Sequence, residues 1–200
     1  MTHRFGLFDA DCRELDESGR GLAFRPRVRP IVPQLEQLYA LAEAKEYPLV
    51  FTTCCSGRML APPGLPNICF VPLDAAETSW RAAVGGCRQF YLAKHTCGHP
   101  QTNFDCRAFD MFHYNANGGP LLRDLGVERW VVFGNGFDLC VRSAARGILR
   151  IGLELTLLED VRISSAGATP QSEQETFRAL RSQGARLMTF QSFIDLAERR

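Results

Sequence analysis

An aspartate, a lysine and a cysteine stand just after apolar runs that read as strands. Asp9 follows Phe5-Gly6-Leu7-Phe8, and Lys94 follows Gln89-Phe90-Tyr91-Leu92-Ala93. Cys140 follows Trp130-Val131-Val132-Phe133 by way of the turn Gly134-Asn135-Gly136-Phe137. Ligands of an open parallel sheet bind beyond the carboxyl ends of its strands. If the three runs are parallel strands, acid, cation and thiol therefore share one rim. A free thiol (pKa ~8.5) is only a few per cent thiolate at neutral pH, and the thiolate is the nucleophile. A helix N-terminus and a nearby ammonium both favour the anion. A carboxylate within reach takes the thiol proton and later returns it to a leaving group. The glycines ahead of Cys140 let the backbone aim N–H groups at a developing oxyanion. Taken singly, each residue has a plainer use: Asp9 caps a turn, Lys94 is solvated, Cys140 is a buried helix-start thiol. Their joint placement after three separate runs carries the catalytic expectation.

The elements that must position them alternate along the chain. Candidate strands cover residues 5–8, 48–52, 89–93, 130–133, 153–158 and 186–189. Ile31, Leu35, Leu38 and Ala42 mark one helix face, and Val141, Ala144, Ala145, Ile148 and Leu149 another. A third helix is expected to open near Ser172, with Ser172 and Glu175 as a capping box, and to end at Gly184. Phe193, Leu196 and Ala197 suggest a short final helix. Near-continuous apolar strands alternating with helices predict a single α/β domain over residues 1–200. Its expected architecture is a three-layer α/β/α sandwich around a mostly parallel, Rossmann-like, six-stranded sheet. Residues 56–86 carry Pro62, Pro63, Pro66 and Pro72 and read as a loop-rich insertion.

The bulk numbers narrow the function classes. Apolar residues make up 46% and charged residues 22% of the 200, which is the composition of a globular domain. A formal net charge of +1 leaves no electrostatic footprint for nucleic acid or anionic lipid. The chain meets Asp9 before an apolar signal stretch could form, and no run approaches the ~18 residues of a membrane span. A cytoplasmic protein with a small-molecule substrate, and no nucleic-acid or membrane partner, is expected. Its eight cysteines are expected to be reduced.

The pattern around Cys140 resembles the isochorismatase-like cysteine hydrolases, a group that includes nicotinamidases and N-carbamoyl amide hydrolases. The segment Gly134-Asn135-Gly136-Phe137-Asp138-Leu139-Cys140-Val141 matches their Gly-x-x-x-Asp-x-Cys-Val turn at Gly134, Asp138, Cys140 and Val141. Lys94 precedes Cys140 by 46 residues, an interval of the family's usual size. The resemblance implies attack by Cys140 on a small-molecule amide, carbamoyl or related carbon, with Asp9 as general base and acid and Lys94 as charge stabiliser. It also implies a cis Asn135–Gly136 bond, with the N–H groups of Gly136 and Cys140 forming the oxyanion hole. Phe104, Phe109 and Phe137 are candidate pocket aromatics, and a homo-oligomer, dimer or tetramer, is implied. The chain departs from the family at Asp11, where a Gln is usual, and at Phe137, where a small residue is frequent. The segment Thr52-Thr53-Cys54-Cys55-Ser56 stands where the nicotinamidase branch binds metal through Asp-x-His.

Other readings compete. His95, Cys97 and His99 alternate, with Cys106 and His113 downstream, but the spacing matches no strong zinc signature. No metal and no cofactor are expected. Gly134-Asn135-Gly136 lacks the third glycine of a dinucleotide fingerprint, since residue 139 is Leu, so an oxidoreductase is a remote alternative. A family member that keeps the fold as a binding module without catalysis is the main alternative.

Overall fold

A computed structural model describes residues 3–15, 22–55, 68–71, 81, 86–95, 108–113 and 115–199, with the backbone alone at 15, 53–55, 94 and 95. The apolar runs form the strands β1 (His3–Ala10), β4 (Leu49–Cys55), β6 (Gln89–His95), β7 (Val127–Asn135), β8 (Glu154–Ile163) and β9 (Arg186–Met188). With β5 (Ile68–Val71) they make a seven-stranded sheet in the order β5-β6-β4-β1-β7-β8-β9, every pair parallel. A small antiparallel hairpin, β2 (Arg13–Leu15) with β3 (Leu22–Phe24), stands apart.

The seventh strand corrects the expected six. Ile68-Cys69-Phe70-Val71 lies inside the stretch read as insertion, and four residues between prolines are too few to display a period. Pairing with β6 and burial of Cys69 and Val71 make it a strand. Apart from β5, Arg81 and Gly86, the stretch 56–86 lies outside the described residues.

Successive side chains of a strand point to opposite faces, so each strand feeds two cores. On one face Phe8 and Ala10 of β1, and Trp130 and Val132 of β7, pack with α3 (Arg142–Arg150) and α4 (Pro170–Ser182) through Ala144, Ala145, Ile148 and Leu180. On the other face Phe5, Leu7, Val131 and Phe133 meet α1 (Val32–Ala44) and α5 (Phe190–Glu198) through Leu35, Leu38, Ala42, Phe193 and Ala197. A shorter helix, α2 (Gly118–Asp124), leads into β7. The result is the three-layer α/β/α arrangement. Helix α4 opens a turn earlier than expected. Its cap is Thr169, whose hydroxyl accepts from the Ser172 N–H at 3.2 Å, while Ser172 Oγ accepts from the Thr169 N–H at 2.9 Å. Pro170, with its fixed φ, suits the first helical position and moves the start away from Ser172.

Strands β1 and β7 run side by side from His3↔Val127 to Ala10↔Gly134. At that last pair the backbones nearly touch: a Cβ on Gly134, whose φ is +131°, would lie 2.3 Å from the Ala10 carbonyl oxygen. Gly152, after α3, also has a positive φ (+81°) but nothing within 4 Å of its would-be Cβ. Gly134→Ala is therefore expected to cost about 3 kcal/mol or more, from clash plus strain. Gly152→Ala, carrying strain alone, should cost about 1–2 kcal/mol. Urea denaturation of both variants checks the difference, and equal losses would refute the close-approach account.

Candidate active site

Beyond β1 the chain crosses through α1 on one face and the sheet grows to β4, β6 and β5. Beyond β7 it crosses through α3 on the opposite face and the sheet grows to β8 and β9. The crevice outside the carboxyl ends of β1 and β7 is thus the topological switch point, where ligands of such sheets bind. Asp9 and Asp11 come from the end of β1, and Cys140 from the turn after β7.

Cys140 belongs to a π-helical turn, Phe137–Val141, that runs straight into α3. Gly136 makes the turn possible in a left-handed conformation (φ +73°, ψ +56°). Its carbonyl accepts from the N–H groups of Leu139 at 2.9 Å and Val141 at 3.1 Å. A Cβ at position 136 would sit 3.5 Å from Cys140 Cβ and 3.6 Å from its sulfur, so glycine leaves the space beside the thiol. The Asn135–Gly136 bond expected to be cis is trans, as is every described peptide bond. The glycine's freedom in φ redirects the chain instead. The Gly136 N–H, expected to face an oxyanion, donates to the Ile163 carbonyl of β8 at 2.8 Å. Asp138 ties the turn down from below, its carboxylate accepting from Ser165 N–H at 2.9 Å and Ser165 Oγ at 2.6 Å. Phe137, expected in a pocket, is fully buried: its ring packs on Phe177 at 4.5 Å with the Arg162 guanidinium 4.4 Å above it.

Asp9 is fully buried on the α1 face, continuing the Phe5–Leu7 series. Its Oδ1 accepts from the Cys12 N–H at 3.1 Å, and its Oδ2 from the Tyr39 hydroxyl of α1 at 2.6 Å. Arg13 Nε lies 3.6 Å from Oδ2, its guanidinium held between the rings of Tyr39 and Phe51 at 4.4 and 4.3 Å. Asp9 does cap a turn, the plainer of its two sequence readings. Among the described residues no hydrogen bond joins it to Cys140. Burial pushes its carboxyl above the usual carboxylate range, against the Arg13 charge and the hydrogen bonds from Tyr39 and Cys12. An open groove of about 760 Å³ on this same face is lined by Arg13, Phe24, Tyr39 and Glu43.

Lys94 lies in β6 opposite Cys54 of β4, at the same rim as the ends of β1 and β7. Asn115 pins that strand end, its Nδ2 donating to the Ala93 carbonyl at 2.6 Å. Phe104, Cys97, His99 and Cys106 lie outside the described residues. Phe109 stacks on His113 at 4.5 Å, and its carbonyl accepts from Ser143 Oγ of α3 at 3.1 Å. Among the described residues no three His, Cys, Asp or Glu side chains gather to hold a metal ion. Nor is any described helix long and apolar enough to cross a membrane.

Three of these residues escaped the sequence reading. Tyr39 shares the Leu35–Leu38–Ala42 face, a signal that reads equally as core. Arg13 and Asn115 carry no local signal at all. Asp11, noted only as a departure, is buried at the tip of β1 in a left-handed conformation with φ +59°.

No protein-family model matches this sequence, and no curated protein matches it either. Solved structures do match the fold. The chain resembles the pyrazinamidase of Pyrococcus horikoshii, solved in complex with zinc, at 18% identity and TM-score 0.58, covering 93% of this chain and 99% of that one. It resembles the nicotinamidase of Staphylococcus aureus at 13% identity and TM-score 0.57, covering 93% and 99%. The YcaC gene product of Escherichia coli, an octameric hydrolase of unknown specificity, matches at 17% identity and TM-score 0.56, covering 94% and 76%. At these identities the likeness establishes the fold.

The raised Asp9 carboxyl has a consequence for stability. Its folded-state pKa exceeds the unfolded value of about 3.9, so its contribution to stability is full below that pH and is lost as pH rises through the folded pKa. Asp9→Asn removes this titration. Urea titrations from about pH 4 upward should show the stability of wild type falling relative to Asp9→Asn until the carboxyl is ionised. A flat difference would mean that Asp9 is ionised normally.

Proposed function

We propose that the protein is a cysteine-dependent hydrolase of small-molecule amide, carbamoyl or related C–N bonds, with Cys140 as nucleophile. The observation that carries this reading is the place of Cys140: the opening turn of a helix, beside Gly136, at the switch point of a sheet shared with amidases. A helix start favours the thiolate, and attack by it on an acyl carbon gives a thioester that water then hydrolyses. A carboxylate at the end of β1 serves as general base and acid. The family resemblance points to Asp9, and Asp11 stands two residues on. Lys94, at the same rim, is proposed to stabilise negative charge on the pair. The Cys140 N–H is proposed to face the oxyanion. Self-association is proposed on the strength of the octamer formed by the YcaC relative.

Thiol chemistry tests the nucleophile directly. Among the described cysteines, burial raises Cys12 well above the ordinary thiol value and Cys69 to about 11. Iodoacetamide near neutral pH is expected to label Cys140 before either, read by peptide mass spectrometry. Inert Cys140 in the folded protein would remove the chemical basis of the proposal. In a screen of amides, carbamoyl compounds and hydroxamates, Cys140→Ala is expected to reduce turnover to background. Absence of any Cys140-dependent turnover would favour the alternative, a binding module on the same fold.

A further inference from the structure

We propose that Asp11, rather than Asp9, is the carboxylate that exchanges a proton with Cys140, and that Asp9 is a buried support for the end of β1. This rests on the hydrolase reading and refines it. The two acids stand on different faces of the sheet. Asp9 lies with α1, where Tyr39, Cys12 and Arg13 occupy both of its oxygens. Asp11 does not continue that face, because its φ of +59° ends the extended strand.

Register shows where the Asp11 carboxylate lies. Ala10 packs in the core shared with α3, and Thr52 of β4 is its register partner. Register partners of a parallel pair project from the same face, so the Thr52 hydroxyl is on the α3 side. That hydroxyl donates to Asp11 Oδ1 at 3.3 Å, which places the carboxylate on the face where the Cys140 helix packs. The backbone of Asp11 is joined to the nucleophile's turn as well: its carbonyl accepts from Asn135 Nδ2 at 3.5 Å, one residue before Gly136. Asp11 is 2% exposed, so a proton it holds is sheltered from bulk water.

The proton moves as follows. The Cys140 S–H proton passes to the Asp11 carboxylate as sulfur bonds to the acyl carbon and the carbonyl electrons move onto oxygen. The tetrahedral species collapses, the C–N bond breaks, and the departing nitrogen takes the proton from Asp11. Water then loses a proton to Asp11 as its oxygen attacks the thioester. The C–S bond breaks, and the thiolate recovers the proton as the carboxylic acid product leaves.

The test compares wild type with Asp11→Asn, Asp9→Asn, Tyr39→Phe and Cys140→Ala. Asparagine tolerates the left-handed region, so Asp11→Asn should fold. If Asp9→Asn does not, Tyr39→Phe perturbs the same carboxylate. Hydrolysis of p-nitroacetanilide, whose poor leaving group needs a proton, is compared with that of p-nitrophenyl acetate, whose leaving group does not. The expected result is a loss of about 10²–10⁴-fold on the anilide for Asp11→Asn, and a smaller one on the ester, which is spared only the protonation of its leaving group. The carboxyl inflection in the pH profile of Cys140 alkylation by iodoacetamide should vanish in the same variant. Changes at Asp9 or Tyr39 should cost far less and keep the inflection. The proposal is overturned if Asp9→Asn or Tyr39→Phe shows the larger loss on the anilide, or if Asp11→Asn leaves anilide hydrolysis close to wild type. Equal hydrolysis by wild type and Cys140→Ala would instead remove the hydrolase reading itself.

Discussion

The contact between Gly134 and the Ala10 carbonyl governs this molecule. Two neighbouring strands end so close together that no side chain fits between them. Past that point the chains part: β1 enters the left-handed turn at Asp11, and β7 enters the turn that delivers Cys140. Both reversals use positive φ, one carried by a glycine and one by an aspartate, a residue type that tolerates it. Because the two crossovers leave on opposite faces, the carboxyl ends of these strands mark the switch point, where Asp9, Asp11, Asn135 and Cys140 stand as buried polar groups. Any chemistry at this rim depends on that parting.

Face assignment follows from the same constraint and decides which groups can cooperate. An apolar sheet with helices on both sides separates its side chains into two cores, and the sheet itself holds a carboxylate on one face out of hydrogen-bonding reach of a thiol on the other. Asp9 lies in the α1 layer, where burial costs are offset by a hydroxyl, a backbone N–H and a guanidinium stacked between two rings. Its removal from water is the reason its carboxyl rises in spite of those partners. Cys140 belongs to the helix layer opposite, through Val141 and Ala144. Similarity of fold to amidases does not carry reaction details across such a difference, because activity resides in side-chain placement rather than in sheet order.

The turn around Cys140 is also held from outside the crevice. Asp138 clamps it to Ser165 after β8, and Phe137 anchors it beneath Phe177 and Arg162, which in turn pairs with Glu173 of α4 at 2.9 Å. The proposed nucleophilic role of Cys140 gains from such fixing, since a sulfur displaced by an ångström loses alignment with its target. Phe137 thus serves position rather than contact with a ligand. A bulky residue is tolerated there because it points into the core.

Much of the fold was legible along the chain. Apolar runs of four or more residues, the i, i+3, i+4, i+7 faces and the glycines that close the helices are local patterns, and they specified six strands, the four helices α1, α3, α4 and α5, and the three layers; the short α2 and the β2–β3 hairpin were not read. The strand β5 was not legible, because four residues derive their state from a neighbour rather than from their own period. The Thr169 cap was missed because Ser172 alone matched the capping pattern, whereas Pro170 set the helix start. The Gly-x-x-x-Asp-x-Cys-Val turn singled out Cys140, and the apolar runs placed Asp9, Lys94 and Cys140 at one rim. What sequence could not decide was which carboxylate shares a face with the sulfur. Strand alternation is local, but it ends wherever φ turns positive, and the side chains that receive each acid, Tyr39 for Asp9 and Thr52 for Asp11, come from distant parts of the chain. Only the folded sheet brings them within hydrogen-bonding distance.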